Sequence, residues 1–311
     1  MSENPVISLV IPVYGVEKYI AEFARSVFSQ SYTYVQYVFV NDGTKDNSIS
    51  VLRQLIDDEF PHINDRVIIV DKENGGLPAA RKNGLQYATG DYIYHVDPDD
   101  WLSEGSLEAI AACARETNAD VVYFNYAKEY ADRTSVKRER VYTLETREKY
   151  IRNMYNHRAF GTLCNKCVKR SVYIDNQLHH PRYGHAEDCI LSVQLVGYAQ
   201  SFAHLDMTVY HYRKTNPAAM TRNGLKRRKG EYAANFLDLY EAYKDSTHPL
   251  RIIFDDVFLQ AGWYSMIYGL GLFKSRPYLA GKIREAKVRG NSNTWIPLQL
   301  FVKMCSYFRK K

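Results

Sequence analysis

At 311 residues, with 46% hydrophobic and 24% charged side chains, the chain is long enough to bury a substantial core and has the composition of an ordinary folded protein. Its net charge of +6, from 41 Lys and Arg against 35 Asp and Glu, is too small to imply nucleic acid, and no basic stripe with interleaved aromatics is present. Residues 1–7 hold no apolar stretch of signal-peptide length and no uninterrupted apolar segment approaches bilayer-crossing length, so the 5 scattered cysteines read as reduced thiols in a cytosol.

Residues 7–13 form a continuous apolar run that predicts a buried strand, after which Val16, Ile20, Phe23, Val27 and Phe28 recur on one helical face. Residues 37–40 predict a second strand closed by the turn Asn41-Asp42-Gly43. Asp46-Asn47-Ser48 then supplies a cap for a helix carrying Val51, Leu52, Leu55 and Ile56. Strands over 67–70, 92–96 and 121–124 alternate with helical stretches near 78–88 and 104–116. This rhythm predicts an α/β fold, a Rossmann-like, mostly parallel sheet with helices on both faces. Beyond about residue 127 the pattern loosens. The charged stretch 133–140 reads as a solvated loop and 186–198 as a helix followed by a run at 208–213; long helical patterns, including 251–273, dominate from Tyr232 onward. The expected division is 1–221 for the sheet domain and 222–311 for a helical C-terminal region.

Open parallel sheets collect ligands at the carboxyl ends of their strands, and Tyr14, Asp42 and the run Asp97-Pro98-Asp99-Asp100 all fall there. Three carboxylates crowded after a strand repel one another; water, or a divalent cation that wants oxygen ligands, makes them tolerable. Asn74-Gly75-Gly76 lets backbone approach a ligand closely. Arg81 adds a permanent charge with a planar fork, suited to phosphate or sugar, or to tying its loop to a carboxylate. The spacing is not GxGxxG, so dinucleotide binding is not read. Glu187 and Asp188 precede Ile190, Leu191, Leu195 and Val196, which places both acids in the first turn of a helix. The helix dipole favours ionised carboxylates there, as a base requires, and ordinary capping accounts for them equally. Tyr14 fits a base-stacking platform or a plain strand-end aromatic. Cys164-Asn165-Lys166-Cys167 has CxxC spacing without the second pair of a zinc site.

In order along the chain, Ile11-Pro12-Val13-Tyr14, Val40-Asn41-Asp42-Gly43-Thr44-Lys45-Asp46-Asn47-Ser48, Asn74-Gly75-Gly76-Leu77-Pro78-Ala79-Ala80-Arg81 and Asp97-Pro98-Asp99-Asp100-Trp101 resemble family 2 glycosyltransferases of the GT-A fold. Ala186-Glu187-Asp188 and Tyr210-His211-Tyr212-Arg213 resemble that family's later motifs, so the likeness runs over about 6–221. The resemblance implies that Pro12, Tyr14, Glu17, Asp42, Gly76, Arg81, Asp97 and Asp99 bind the donor, with Asp42 accepting the imide N–H of uracil. It implies a DxD element in which Asp97 touches ribose or metal and Asp99 ligates Mg²⁺ or Mn²⁺ bridging a diphosphate. His211 is then an added metal ligand or phosphate contact, or a structural histidine, and Asp100 lies toward the sugar or caps the next helix. Asp188 is the implied catalytic base, with Glu187 beside it in the catalytic pair.

The implied activity is inverting, metal-assisted transfer of one hexosyl or N-acetylhexosaminyl unit from a nucleotide diphosphate sugar, UDP first. The acceptor would be a glycan or lipid-linked oligosaccharide, in surface polysaccharide synthesis at the cytoplasmic membrane face. Departures from the family pattern are Asn41 for Asp, Gly15 for Asn and Lys82 for Asn, which leave donor preference open. No Gln-x-x-Arg-Trp motif or membrane-spanning set is present, which argues against a processive synthase. Two rivals stand beside this reading. A sugar-phosphate nucleotidyltransferase needs a Gly-rich, Arg-containing loop that Pro12-Val13-Tyr14-Gly15 lacks; a non-catalytic nucleotide- or glycan-binding module has no need of Asp99 and Asp188. The patch of Arg222, Lys226, Arg227, Arg228 and Lys229 closes over a diphosphate, meets anionic lipid or is a solvated loop. The tail 295–311, with Trp295, Phe301, Phe308 and terminal Arg309-Lys310-Lys311, suits an interfacial membrane helix or packing against its own domain or a second subunit.

Overall fold

The computed structural model describes residues 4–219 and 224–288. Strand β1 (Ile7–Val13) is buried along its whole length, as a parallel strand with both faces covered must be. It pairs in parallel with β2 (Val35–Asn41) on one side and β4 (Tyr92–His95) on the other, and β2 pairs in parallel with β3 (Val67–Asp71). Helices α1 (Ile20–Phe28), α2 (Ser48–Glu59) and α3 (Leu77–Leu85) provide the crossovers that parallel strands require. The sheet continues through β5 (Trp101–Leu102), β6 (Val121–Glu129), β7 (Thr134–Lys137), β8 (Lys166–Lys169) and β9 (Phe202–Arg213). The strand order is β3-β2-β1-β4-β8-β6-β9-β5, with β7 paired to β6. The long pairings are parallel, including β6 with β9, whereas the short β8 runs antiparallel to both β4 and β6. The other helices are α4 (Ser106–Thr117), α5 (Arg147–Tyr155), α6 (Arg170–Ile174), α7 (Glu187–Tyr198), α8 (Leu225–Tyr243), α9 (Phe254–Tyr268), α10 (Leu272–Ser275) and α11 (Leu279–Val288).

Side-chain alternation along β1 divides the core. Ile7, Leu9, Ile11 and Val13 pack with α1, α2 and α4 on one face of the sheet. Val10 points the other way, into a cluster that joins α5, α7, α8, α9 and α11. The C-terminal helices therefore share one apolar core with α7 and the sheet.

Helix α3 lies very close to the strands. A β-carbon at Gly84 would stand 2.6 Å from Val10 Cγ1 and 3.0 Å from Val40 Cγ2, so the missing side chain sets the helix-to-sheet spacing. Gly84→Val is expected to destabilise the fold by about 1–3 kcal/mol through overpacking. Gly84→Ala should be milder, because helix propensity returns about 1 kcal/mol. The midpoint of chemical denaturation checks both, and an unchanged midpoint in the valine variant would contradict this packing.

The structure departs from the sequence reading in several places. Residues 133–140 are not a solvated loop. Thr134–Lys137 pairs with Glu129 to Tyr126 as a hairpin, and Glu139 is 7% exposed, its carboxylate accepting from the Arg140 and Phe160 N–H groups. Charge suggested solvent, but a hairpin edge strand exposes alternate side chains and still pairs its backbone. The strands at 101–102 and 166–169 were too short to carry a periodicity. Arg222 and the tail 295–311 lie outside the described residues. Among the described residues, no helix is long and apolar enough to cross a membrane.

Candidate active site

Parallel register brings the carboxyl ends of three strands side by side, with Val13 opposite Asn41 and Asn41 opposite Asp71. Tyr14, just past β1, is 55% exposed and open to a flat ligand. Pro12, expected in the donor site, is buried inside β1 opposite Val40, two residues before the exposed Tyr14. Glu17 is also turned to another task. Its carboxylate accepts the Asn47 N–H at 3.0 Å and the Asn47 Nδ2 at 3.2 Å, so it tethers the β1–α1 loop to the start of α2. Asp46 completes that tether by accepting the Glu17 N–H at 3.0 Å.

Asp42 is 3% exposed. Its Oδ1 accepts from Lys72 Nζ at 2.5 Å and the Gly75 N–H at 2.9 Å, and its Oδ2 accepts the Gly76 N–H at 2.8 Å. In this arrangement Asp42 folds the glycine turn onto the strand ends. Gly76, with φ 81, leads directly into α3, a backbone conformation that L side chains rarely take.

One turn into α3, Arg81 is 3% exposed and forms the hub of the site. Its Nη2 bonds Asp97 Oδ1 at 2.6 Å, and its Nη1 bonds Glu187 Oε1. The run at 97–100 and the helix mouth carrying Asp188 therefore meet across a single guanidinium, although 106 residues separate Arg81 from Glu187. Burial works against the Arg81 charge, but Asp97, Glu187 and Asp188 more than offset it and raise its pKa. Burial also drives the Glu187 carboxyl up to about 8; Arg81 opposes the shift, and the Asp188 and Asp97 charges add to it. Glu187, expected in the catalytic pair, is only 3% exposed and faces Arg81, so it supports the site from beneath.

The turn after β4 is clamped from β9. Asp100 is 1% exposed and accepts from the Tyr210 hydroxyl at 2.5 Å and the Arg213 N–H at 2.7 Å, so it neither faces a ligand nor caps a helix. Arg213 also donates through Nε to the Asp99 carbonyl at 2.8 Å, and its guanidinium lies 4.6 Å from the Trp101 ring. Asn216 donates to Asp99 Oδ2 at 2.8 Å. Of the roles open to His211, its contacts favour the structural one. Ser103 Oγ lies 2.8 Å from its Nε2 and Glu129 Oε1 lies 2.7 Å from its Nδ1, so both ring nitrogens are used within the protein. The ring also stacks on Trp101 at 5.2 Å. These contacts are those of a histidine that holds β5 and β6 to β9.

A divalent cation suits the remaining donors. Burial first, then the Asp97 charge, pushes the Asp99 carboxyl up, and a nearby cation relieves both effects. The Asp97 side chain, 31% exposed, is open to a ligand on one side. Among the described residues no group of three or more His, Cys, Asp or Glu forms a metal cage. Two carboxylates without a cage fit Mg²⁺ or Mn²⁺ shared with a ligand's phosphates and water.

Asp188 stands in the first turn of α7, half-buried, with Oδ1 accepting the Cys189 N–H at 2.8 Å. Burial raises its pKa, with Arg81 and the Cys189 N–H acting against that rise. Ala186 enters the helix at φ 64, a left-handed conformation of the kind held under strain at functional sites. Cys164 and Cys167 are free, and burial pushes both thiols up, the opposite of a reactive or metal-binding pair. Lys72, Tyr210, Arg213 and Asn216 were missed as site residues. The Tyr-His-Tyr-Arg motif held the signal for two of them; nothing in the sequence announced Lys72 or Asn216.

The chain is 30% identical over 217 residues to EpsH of Bacillus subtilis (strain 168), a candidate glycosyltransferase, a match covering 68% of this chain and 61% of that protein. Its structure is similar to Staphylococcus aureus TarS 1–349 in complex with UDP-GlcNAc, at TM-score 0.65 and 18% identity over 90% of this chain and 80% of that one. The mannosyltransferase PcManGT of Pyrobaculum calidifontis, in complex with GDP-Man and Mn²⁺, aligns at TM-score 0.55 and 15% identity over 100% of this chain and 82% of that one. Both likenesses identify the GT-A fold. The family model Glycosyl transferase family 2 matches residues 8–176, more than half of the chain, and the chain belongs to that family.

Proposed function

We propose that the protein transfers a single sugar, with inversion, from a nucleotide diphosphate sugar to a hydroxyl of a growing glycan or lipid-linked oligosaccharide. The observation that supports this reading is the Arg81 bridge, which ties Asp97 to Glu187 at the start of the helix that carries Asp188. Tyr14, exposed at the strand end, offers a face for the base. The glycine turn held by Asp42 brings backbone close to the donor. The acceptor hydroxyl attacks the anomeric carbon opposite the diphosphate, and Asp188 takes its proton. Asp97 and Asp99 are the residues that would hold Mg²⁺ or Mn²⁺, whose chemistry when bound is neutralisation of charge on the departing diphosphate. UDP is the favoured donor nucleotide, supported by the TarS complexes with UDP-GlcNAc and UDP. Transfer of a hexosyl or N-acetylhexosaminyl unit in surface polysaccharide synthesis, at the cytoplasmic membrane face, completes the reading.

A panel of nucleotide sugars with Mn²⁺, scored for released nucleotide, tests the class. UDP release from one UDP-sugar, abolished by EDTA and restored by Mn²⁺, is the expected result. Pyrophosphate release would point to a sugar-phosphate nucleotidyltransferase. No turnover of any donor would point to a binding module.

A further inference from the structure

Four backbone groups in the segment leading to Asp188 converge on one side chain of α8. Asn235 is 0% exposed. Its Oδ1 accepts from the N–H groups of Arg182 at 3.2 Å and Tyr183 at 3.1 Å. Its Nδ2 donates to the carbonyls of Tyr183 at 2.9 Å and His185 at 3.0 Å. One turn earlier on α8, Glu231 accepts the His185 N–H at 3.2 Å and the Arg227 Nε at 2.7 Å. A primary amide carries two donors and an acceptor oxygen with two lone pairs, and here all four positions are spent on the same short stretch of chain.

That stretch ends at Ala186, whose φ of 64 precedes Glu187 directly. A non-glycine residue keeps such a conformation only where its surroundings over-determine it. Without it the chain would enter α7 at another angle, and neither Glu187 on Arg81 nor Asp188 at the helix mouth would keep its place.

We propose that Asn235 is a positioning residue for the catalytic base: it fixes the 182–185 backbone so that Ala186 holds its left-handed turn and Asp188 faces the cleft. The proposal rests on the reading of Asp188 as the base. It gives the C-terminal region a part in catalysis, exerted through backbone with no contact to donor or acceptor.

The test compares full-length Asn235→Leu and Asp188→Asn with the parent. Its readouts are kcat and KM for UDP release from the UDP-sugar that the panel identifies, UDP affinity by calorimetry, and Tm. Asn235→Leu is expected to lose about 10²-fold in kcat, the scale of a misplacement near 1 Å, while KM and UDP affinity hold. Adding Ala186→Gly, which takes positive φ without strain, should return much of that kcat. A lowered Tm with parental kcat per folded molecule would mean a structural role only and overturn the proposal. Should Asn235→Leu fail to fold, Asn235→Asp keeps both acceptor bonds and loses both donor bonds, and parental kcat in that variant overturns the proposal too. If Asp188→Asn keeps parental turnover, the base assignment falls and the positioning role with it. If Asp188→Asn loses turnover while Asn235→Leu keeps it, only the positioning role falls.

Discussion

Asp188→Asn is expected to lower turnover by about 10²–10⁴-fold, the loss typical of a positioned base, or about 3–5 kcal/mol of barrier. The substitution keeps the shape of the side chain and the bond to the Cys189 N–H, and removes only the ability to accept a proton. Donor affinity should therefore hold, since the proposed reading assigns donor binding to Asp42, Arg81 and the turn at 97–100. The pH profile gives a second readout. Burial lifts the Asp188 carboxyl above its ordinary 3.8 despite Arg81, and the base works only when ionised. Turnover should fall as pH drops through that raised value, at a higher pH than an exposed aspartate would produce, and the asparagine variant should lack this limb. Parental turnover in the variant would remove Asp188 from the reaction.

Arg81→Met is expected to cost about 3–5 kcal/mol of stability, because it strips the buried Glu187 and the half-open Asp97 of their shared partner. Lysine should not rescue it, since a single ammonium cannot reproduce a planar fork that holds two carboxylates. The loss should depend on pH. Burial pushes the Glu187 carboxyl up to about 8 against an ordinary 4.5, so its contribution is fully present below about 4.5 and lost as pH rises through that raised value. Removing Arg81 should carry that decline past about pH 8, so that parent and variant diverge most above that value. A carboxyl no longer opposed by a cation holds its proton to higher pH in the folded protein than in the unfolded chain. Urea midpoints measured on both sides of that pH check the prediction, and Arg81→Met with Glu187→Gln should recover much of the loss. A midpoint shift independent of pH, with no recovery in the double variant, would show that the two side chains do not act as a pair.

The repeating strand and helix pattern up to residue 124 was legible because both periodicities are local. Ile7, Leu9, Ile11 and Val13 alternate toward one face, and Val16, Ile20, Phe23 and Val27 recur at helical spacing. The site was legible to the extent that it lies at strand ends and a helix start. Asp42, Asp97 and Asp99 follow apolar runs directly, and Glu187-Asp188 opens a helix. Pro12 shows the limit of that logic: β1 is buried to its last residue, and exposure begins only at Tyr14.

Residue types and local spacing thus established the class of fold, the order of its elements and the cluster of acids at one sheet edge. They were silent on partners. His211 was open to several roles until β9 paired with β5 and β6 and brought Ser103 and Glu129 to its two nitrogens. Arg81 could serve a ligand or a carboxylate until α3, held tight to β1 and β2 at Gly84, placed it between Asp97 and Glu187. Asn235, nearly 50 residues beyond Asp188, carried no signal at all until α8 packed against α7 in their common core. The division has one cause. Burial and periodicity act between neighbours along the chain, whereas buried hydrogen bonds and charges are satisfied by whichever groups the sheet order and helix packing bring within about 3 Å.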